Sequence, residues 1–98
     1  MGLRHVINLT FRDDATDDQI EAAVAALRAL PDQIPEIESY VVGRDRGLAA
    51  GNSHLAIVAD FASVAGYETY RDHPAHHAVI TDHFAPIVTG RTAVQHDT

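Results

Sequence analysis

Polar and apolar residues alternate from Arg4 to Phe11. His5, Ile7, Leu9 and Phe11 fall on one side, and Arg4, Val6, Asn8 and Thr10 on the other. A period of two predicts a half-buried strand with His5 on its more apolar face. The spacing then changes. "TDDQ", Thr16 to Gln19, reads as a capping box, and Asp17 and Asp18 suit the positive end of a helix dipole. Ile20, Ala23, Val24, Leu27 and Leu30 recur at helical spacing until Pro31 stops the run. Alternating β-formers from Ile37 to Gly43 predict a second strand. "GRDRGLAAGN" is an exposed connection without the frame of a phosphate loop. His54–Phe61, "HLAIVADF", is nearly continuous in apolar residues and predicts a strand buried on both faces.

Ser63 is placed to cap a short helix whose inner side would carry Val64, Tyr67 and Tyr70. His73 precedes Pro74 and is pushed out of the helical region, while Pro74 suits the first position of a further helix running to about Phe84. Val88–His96 completes the chain as a strand interrupted by Gly90 and Arg91. The order β-α-β-β-α-(α)-β predicts a single α+β domain over residues 1–98. It is ferredoxin-like, with an antiparallel sheet and helices on one face. The other face also carries apolar residues and needs a cover. No helix is left to supply one, so a second copy packed sheet to sheet, a homodimer, is expected.

Charge narrows the partners. The chain has 14 acidic residues against 7 basic ones, all arginine, for a net charge of −7. That balance argues against nucleic acid and against an anionic membrane surface. No apolar run has the roughly 20 residues of a membrane span, and the N-terminal residues lack a secretory h-region. A cytoplasmic location is expected. With no cysteine, disulfides, zinc-thiolate sites and thiol nucleophiles are excluded.

Candidate chemistry concentrates in "YETYRDHPAHHAVITDHF", Tyr67 to Phe84, which holds four of the seven histidines. On a wheel at about 100° per residue, Val79, Ile80 and Phe84 define an apolar side that includes His76. His76 is therefore the imidazole expected to be buried. Tyr70 lies six residues earlier, across the turn at Pro74, and is expected to meet it. Such a pair is a usable acid–base couple, although a histidine on an apolar face also serves as a satisfied core residue. A metal site is disfavoured. Pro74 breaks the register between His73 and its neighbours, and adjacent His76 and His77 diverge on a helix. His5 and His54 lie on neighbouring antiparallel strands. Paired end to end, they would stand on the order of 20 Å apart. Parity alone leaves open which of them joins His76. No nucleophile elbow, dinucleotide fingerprint or Schiff-base lysine is present.

The segments "HVINLTFRDDATDDQI", "IPEIESYVVGRD" and "HLAIVADFASVAGYETYRDHPAHHAV" together resemble the stress-responsive dimeric α+β barrel family, with "YRDHPAH" as the most specific stretch. The resemblance implies a ferredoxin-like fold and dimers joined through the sheets. It extends to olivetolic acid cyclase-like polyketide cyclases of that family, which work without metal or organic cofactor. It implies a catalytic His76 partnered by Tyr70. The pocket would be formed with His5, His54, Tyr67, Val24, Leu27, Val79 and Ile80. The expected function is cofactor-free acid–base chemistry on a small apolar, carbonyl-containing ligand such as a β-ketone, in an aldol or Claisen-type cyclisation. The alternative is a non-catalytic small-ligand-binding or stress-related dimer. A cofactor-independent monooxygenase rests on fold analogy and lacks the tryptophan it would want.

Overall fold

In a computed structural model, which describes residues 2–98, the alternation at the start of the chain becomes β1, Leu3–Phe11. Leu3, His5, Ile7, Leu9 and Phe11 are buried, and the residues between them are not. Thr16 caps α1, Asp17–Arg28, through the expected box: its hydroxyl accepts from the Gln19 amide, and the Gln19 side chain accepts from the Thr16 amide. The box contributes about 1 kcal/mol to the helix start. Ile20, Ala23, Val24 and Leu27 bury the inner stripe of α1 against the sheet. Each large aliphatic side chain there contributes about 1.5–3 kcal/mol. Pro31 sits in a short 3₁₀ turn, Leu30–Asp32, which carries the chain to β2, Ile37–Arg44.

β3 is Leu55–Phe61, α2 is Val64–Asp72, α3 is Pro74–Val79, and β4 is Val88–Asp97. The sheet is antiparallel in the order β2-β3-β1-β4, and the helices lie over one face. Among the described residues no helix is long and apolar enough to cross a membrane.

Three local expectations need correction. β3 is covered on one face only: Leu55, Ile57, Ala59 and Phe61 are buried, whereas Ala56 is exposed and Val58 and Asp60 are half-buried. Among the described residues no helix lies over that second face. Val64 is 58 % exposed and not part of the inner side of α2. The helix from Pro74 does not run evenly to Phe84. After Val79 it opens into a π turn, Ile80–Phe84, closed by the Ala85 amide donating to the Ile80 carbonyl at 2.8 Å. Val79, the last residue before this turn, and Phe84, its last residue, both lie inward, and Ile80 is 42 % exposed.

The uncovered face has its own order. Val41 pairs with Val58, Val58 with Val6, and Val6 with Val94, so four valines run in one row across all four strands. Val41 and Val94, at the row's two ends, are 60 % and 59 % exposed. Beside this row the Arg4 guanidinium bridges to the Asp60 carboxylate at 2.8 Å.

Candidate active site

The site begins with the turn at Pro74. His73 has φ −66° and ψ 135°, the extended conformation expected of a residue before proline. It ends α2 and caps α3, its Nδ1 accepting from the Ala75 amide at 3.0 Å. This reversal folds α3 back so that the His76 ring packs on Tyr70, centroid to centroid 4.2 Å with the planes tilted by 37°.

The last turn of α2 then fixes the imidazole. His76 Nδ1–H donates to the Arg71 carbonyl at 3.1 Å, and His77 Nε2–H donates to the same oxygen at 3.0 Å. A carbonyl only accepts, so His76 carries its proton on Nδ1. Its Nε2 keeps the lone pair and makes no hydrogen bond to the described residues. Burial pushes the His76 pKa below its ordinary value, opposed by the Arg71 carbonyl and helped by His77, Arg91 and His73. The ring is therefore neutral near pH 7, with a basic nitrogen free.

Tyr70 is 1 % exposed, and its hydroxyl meets that of Tyr40 at 2.9 Å. Burial raises both phenol pKa values, so both keep their protons. With Tyr40 as donor to the Tyr70 oxygen, the Tyr70 proton is left for a ligand. The expected partner of Tyr70 was His76. The structure gives a tilted ring contact there and assigns the hydroxyl contact to Tyr40.

The most buried imidazole is His5, 3 % exposed, rather than the half-buried His76. β1 is central in the sheet, whereas α3 lies at the surface. The Gln95 side-chain amide donates to His5 Nδ1 at 2.7 Å, leaving the proton on Nε2. Burial, with the nearby positive charge of Arg91 and the presence of His76, lowers the His5 pKa to about 4. The ring lies 5.0 Å from Tyr67 and 6.2 Å from Tyr70.

A cavity of about 250 Å³ opens beside Tyr70 and His76. Its walls include Ile7, Leu9, Leu27, Ile57 and Phe84, with Ile80 at the rim, and Arg91 is its one charged lining residue. Other expected residues lie elsewhere. His54 lies at the other end of the β1–β3 pairing from His5 and does not line the cavity: its amide donates to the Leu9 carbonyl at 2.8 Å, and its Nδ1 accepts from the Phe11 amide at 2.9 Å. Val24 is in the core away from the cavity walls. Val79 lies with Ala26, Asp82 and His83 in a separate hollow. Tyr67 packs on His5 without lining the cavity. Among the described residues no three histidine or carboxylate side chains converge as a metal set.

Sequence reading missed Tyr40, Gln95 and Arg91. Gln95 and Arg91 stand opposite His5 and Leu9 in the β1–β4 register, so their parity would have been the signal once that register was known.

Structural neighbours share this architecture. A dimeric ferredoxin-like protein of unknown function from Thermobifida fusca is 43 % identical, with a TM-score of 0.92 over 100 % of this chain and 92 % of its own. A dimeric protein of unknown function from Bacteroides fragilis is 22 % identical, with a TM-score of 0.87 over 99 % and 96 % of the two chains. A hydroxynitrile lyase from Passiflora edulis is 20 % identical, with a TM-score of 0.85 over 97 % and 91 %. No curated protein matches this chain. The stress responsive A/B barrel domain (Dabb) matches residues 3–97, and the chain belongs to that family.

Proposed function

We propose that the protein is a cofactor-free enzyme acting on a small carbonyl compound, with His76 as general base and Tyr70 as hydrogen-bond donor to the carbonyl oxygen. The observation that carries this reading is the fixed tautomer of His76. Its Nδ1 is committed to the Arg71 carbonyl, its Nε2 is free, and the ring lies on Tyr70 beside an apolar cavity. In the proposed step, His76 Nε2 removes a proton α to the substrate carbonyl while the Tyr70 hydroxyl stabilises the developing enolate oxygen. The carbanion equivalent then attacks a second carbonyl; in an aldol closure the imidazolium returns the proton to the new alkoxide, and in a Claisen-type closure of a substrate with an ester or thioester carbonyl the C–O or C–S bond breaks and the departing alkoxide or thiolate takes that proton. Neutral His5 lies behind this pair and holds the Tyr67–Tyr70 side of the site in place through ring contacts. That the Passiflora edulis neighbour is a hydroxynitrile lyase supports a lyase-type reaction on this fold.

The working unit proposed is a homodimer joined through the open sheet face. The row of four valines supports it, as does the dimeric description of the Thermobifida fusca and Bacteroides fragilis neighbours. The test is turnover of a panel of small β-ketones and α-hydroxynitriles by the native chain and by His76→Ala. Loss of turnover in a folded dimer is expected. Ligand-induced thermal stabilisation without turnover of any panel member by the native protein would instead favour a binding dimer.

A further inference from the structure

The charge lining the cavity is unusual for this chain. Fourteen acidic residues give the protein a net charge of −7, yet the cavity walls contain none of them. Of its titratable lining residues His76 is neutral and Tyr70 keeps its proton, so among the described residues Arg91 is the only formal charge facing the space. It projects from β4, opposite Leu9, on the face of the sheet that carries His5.

Arg91 also lacks an internal partner. Arg4, Arg12, Arg44 and Arg71 each reach a carboxylate, and Arg28 donates to the Val42 carbonyl. Among the described residues Arg91 makes no ion pair and no side-chain hydrogen bond, a condition it shares with Arg46 in the exposed loop. Both are exposed, but Arg91 stands at the edge of an apolar hollow and Arg46 among polar groups. A guanidinium presents a planar fork matched to a carboxylate. An overall negative protein repels anions, so a site that admits one needs a local cation.

We propose that Arg91 is a specificity-determining residue, and that the cavity takes a small apolar carboxylic acid whose carboxylate pairs with Arg91 while its apolar body occupies the hollow. At about 250 Å³ the space lies just under the roughly 300 Å³ at which drug-sized sites begin, which favours a small ligand. This inference deepens the carbonyl reading above and rests on the same site: the carboxylate end is held at Arg91 and the reacting carbonyl is left to Tyr70 and His76.

The test is binding, independent of turnover. Benzoate, hexanoate, benzamide and inorganic phosphate are titrated calorimetrically into the native protein, Arg91→Gln and Arg91→Lys. The native protein is expected to bind the two carboxylates in preference to benzamide and to ignore phosphate. Arg91→Gln is expected to lose that preference roughly tenfold or more, since one charge-assisted pair is removed, with benzamide binding kept. Arg91→Lys should restore part of it. An unchanged carboxylate-to-amide ratio in Arg91→Gln overturns the proposal, as does phosphate binding as tightly as benzoate, or no saturable carboxylate binding at millimolar concentrations. The two readings fail separately. Loss of the Arg91 effect with His76-dependent turnover intact removes the carboxylate assignment alone. Carboxylate preference with turnover surviving in His76→Ala removes the acid–base assignment alone.

Discussion

His54 and His76 belong to the same protein, and their rings are held in opposite ways. At His54 the ring stacks on Phe11 at 5.9 Å, and Nδ1 accepts from the Phe11 amide at 2.9 Å. That imidazole satisfies a backbone donor where β1 pairing runs out, and its surroundings are polar and open. At His76 Nδ1 donates to a carbonyl, Nε2 is left with its lone pair, and the neighbours are a buried phenol and an apolar cavity. What a histidine can do is decided by which nitrogen the backbone claims and by what the other one faces. Residue type alone does not distinguish the two rings.

The difference gives its largest expected effect in a pair of substitutions. His76→Ala should lower turnover by roughly 10²–10⁴-fold, the usual span of a general base. His54→Ala should leave turnover within a fewfold while costing about 1 kcal/mol of stability through the lost strand-end hydrogen bond. Steady-state kinetics and denaturant melts of both variants read this. Equal losses of activity would erase the distinction.

Tyr70→Phe comes next. It keeps the ring under His76 but removes the hydroxyl that meets Tyr40. Loss of an oxyanion donor should lower kcat by about 10²-fold. The measurement is kcat against KM: a change confined to KM would make Tyr70 a wall of the pocket and nothing more.

A smaller effect is expected in acid. The unfolded chain protonates His5 near 6.5, whereas the folded chain resists until about 4. Stability should therefore be constant above about pH 6.5 and fall as pH drops toward 4, because the unfolded state takes up a proton that the native ring refuses. The contribution is on the order of 2 to 3 kcal/mol. His76, shifted in the same direction by its burial, adds to the slope. Urea melts across this range should show the decline shrink in His5→Asn, and an unchanged slope would contradict it.

The sequence made much of the framework legible, for identifiable reasons. Thr16 and Gln19 announce the start of α1 by their own chemistry, and the Leu3–Phe11 alternation needs no tertiary knowledge to assign its buried side. Pro74 makes the meeting of Tyr70 and His76 readable, because a residue before proline must leave the helix and so turn the chain. What stayed hidden depends on register. Simple alternation in β2 would point Ile37 and Val41 the same way. An irregularity between Ile37 and Ser39 shifts the parity, so Tyr40 and Val42 face inward and Val41 outward. Tyr40 therefore could not be seen as Tyr70's partner. The π turn likewise departs from an ideal wheel: beyond Val79 the spacing widens, so that Phe84 lies inward while Ile80 stays at the cavity rim. Val79, about 100° from Ile80, lines a different hollow. Arg91 reads in sequence as a strand interruption, and its place in the site follows only from its pairing opposite Leu9.

The central claim concerns one nitrogen, and nitrogen-15 NMR of the histidine rings tests it directly. The His76 resonances, assigned by comparison with His76→Ala, are followed across pH with and without small β-ketones and carboxylic acids. A neutral ring protonated on Nδ1 at pH 7, a midpoint below the ordinary imidazole value, and an Nε2 shift on ligand addition are the expected results. A mixed tautomer with an ordinary midpoint and no response to any ligand would contradict the assignment of His76 as the base of a ligand pocket.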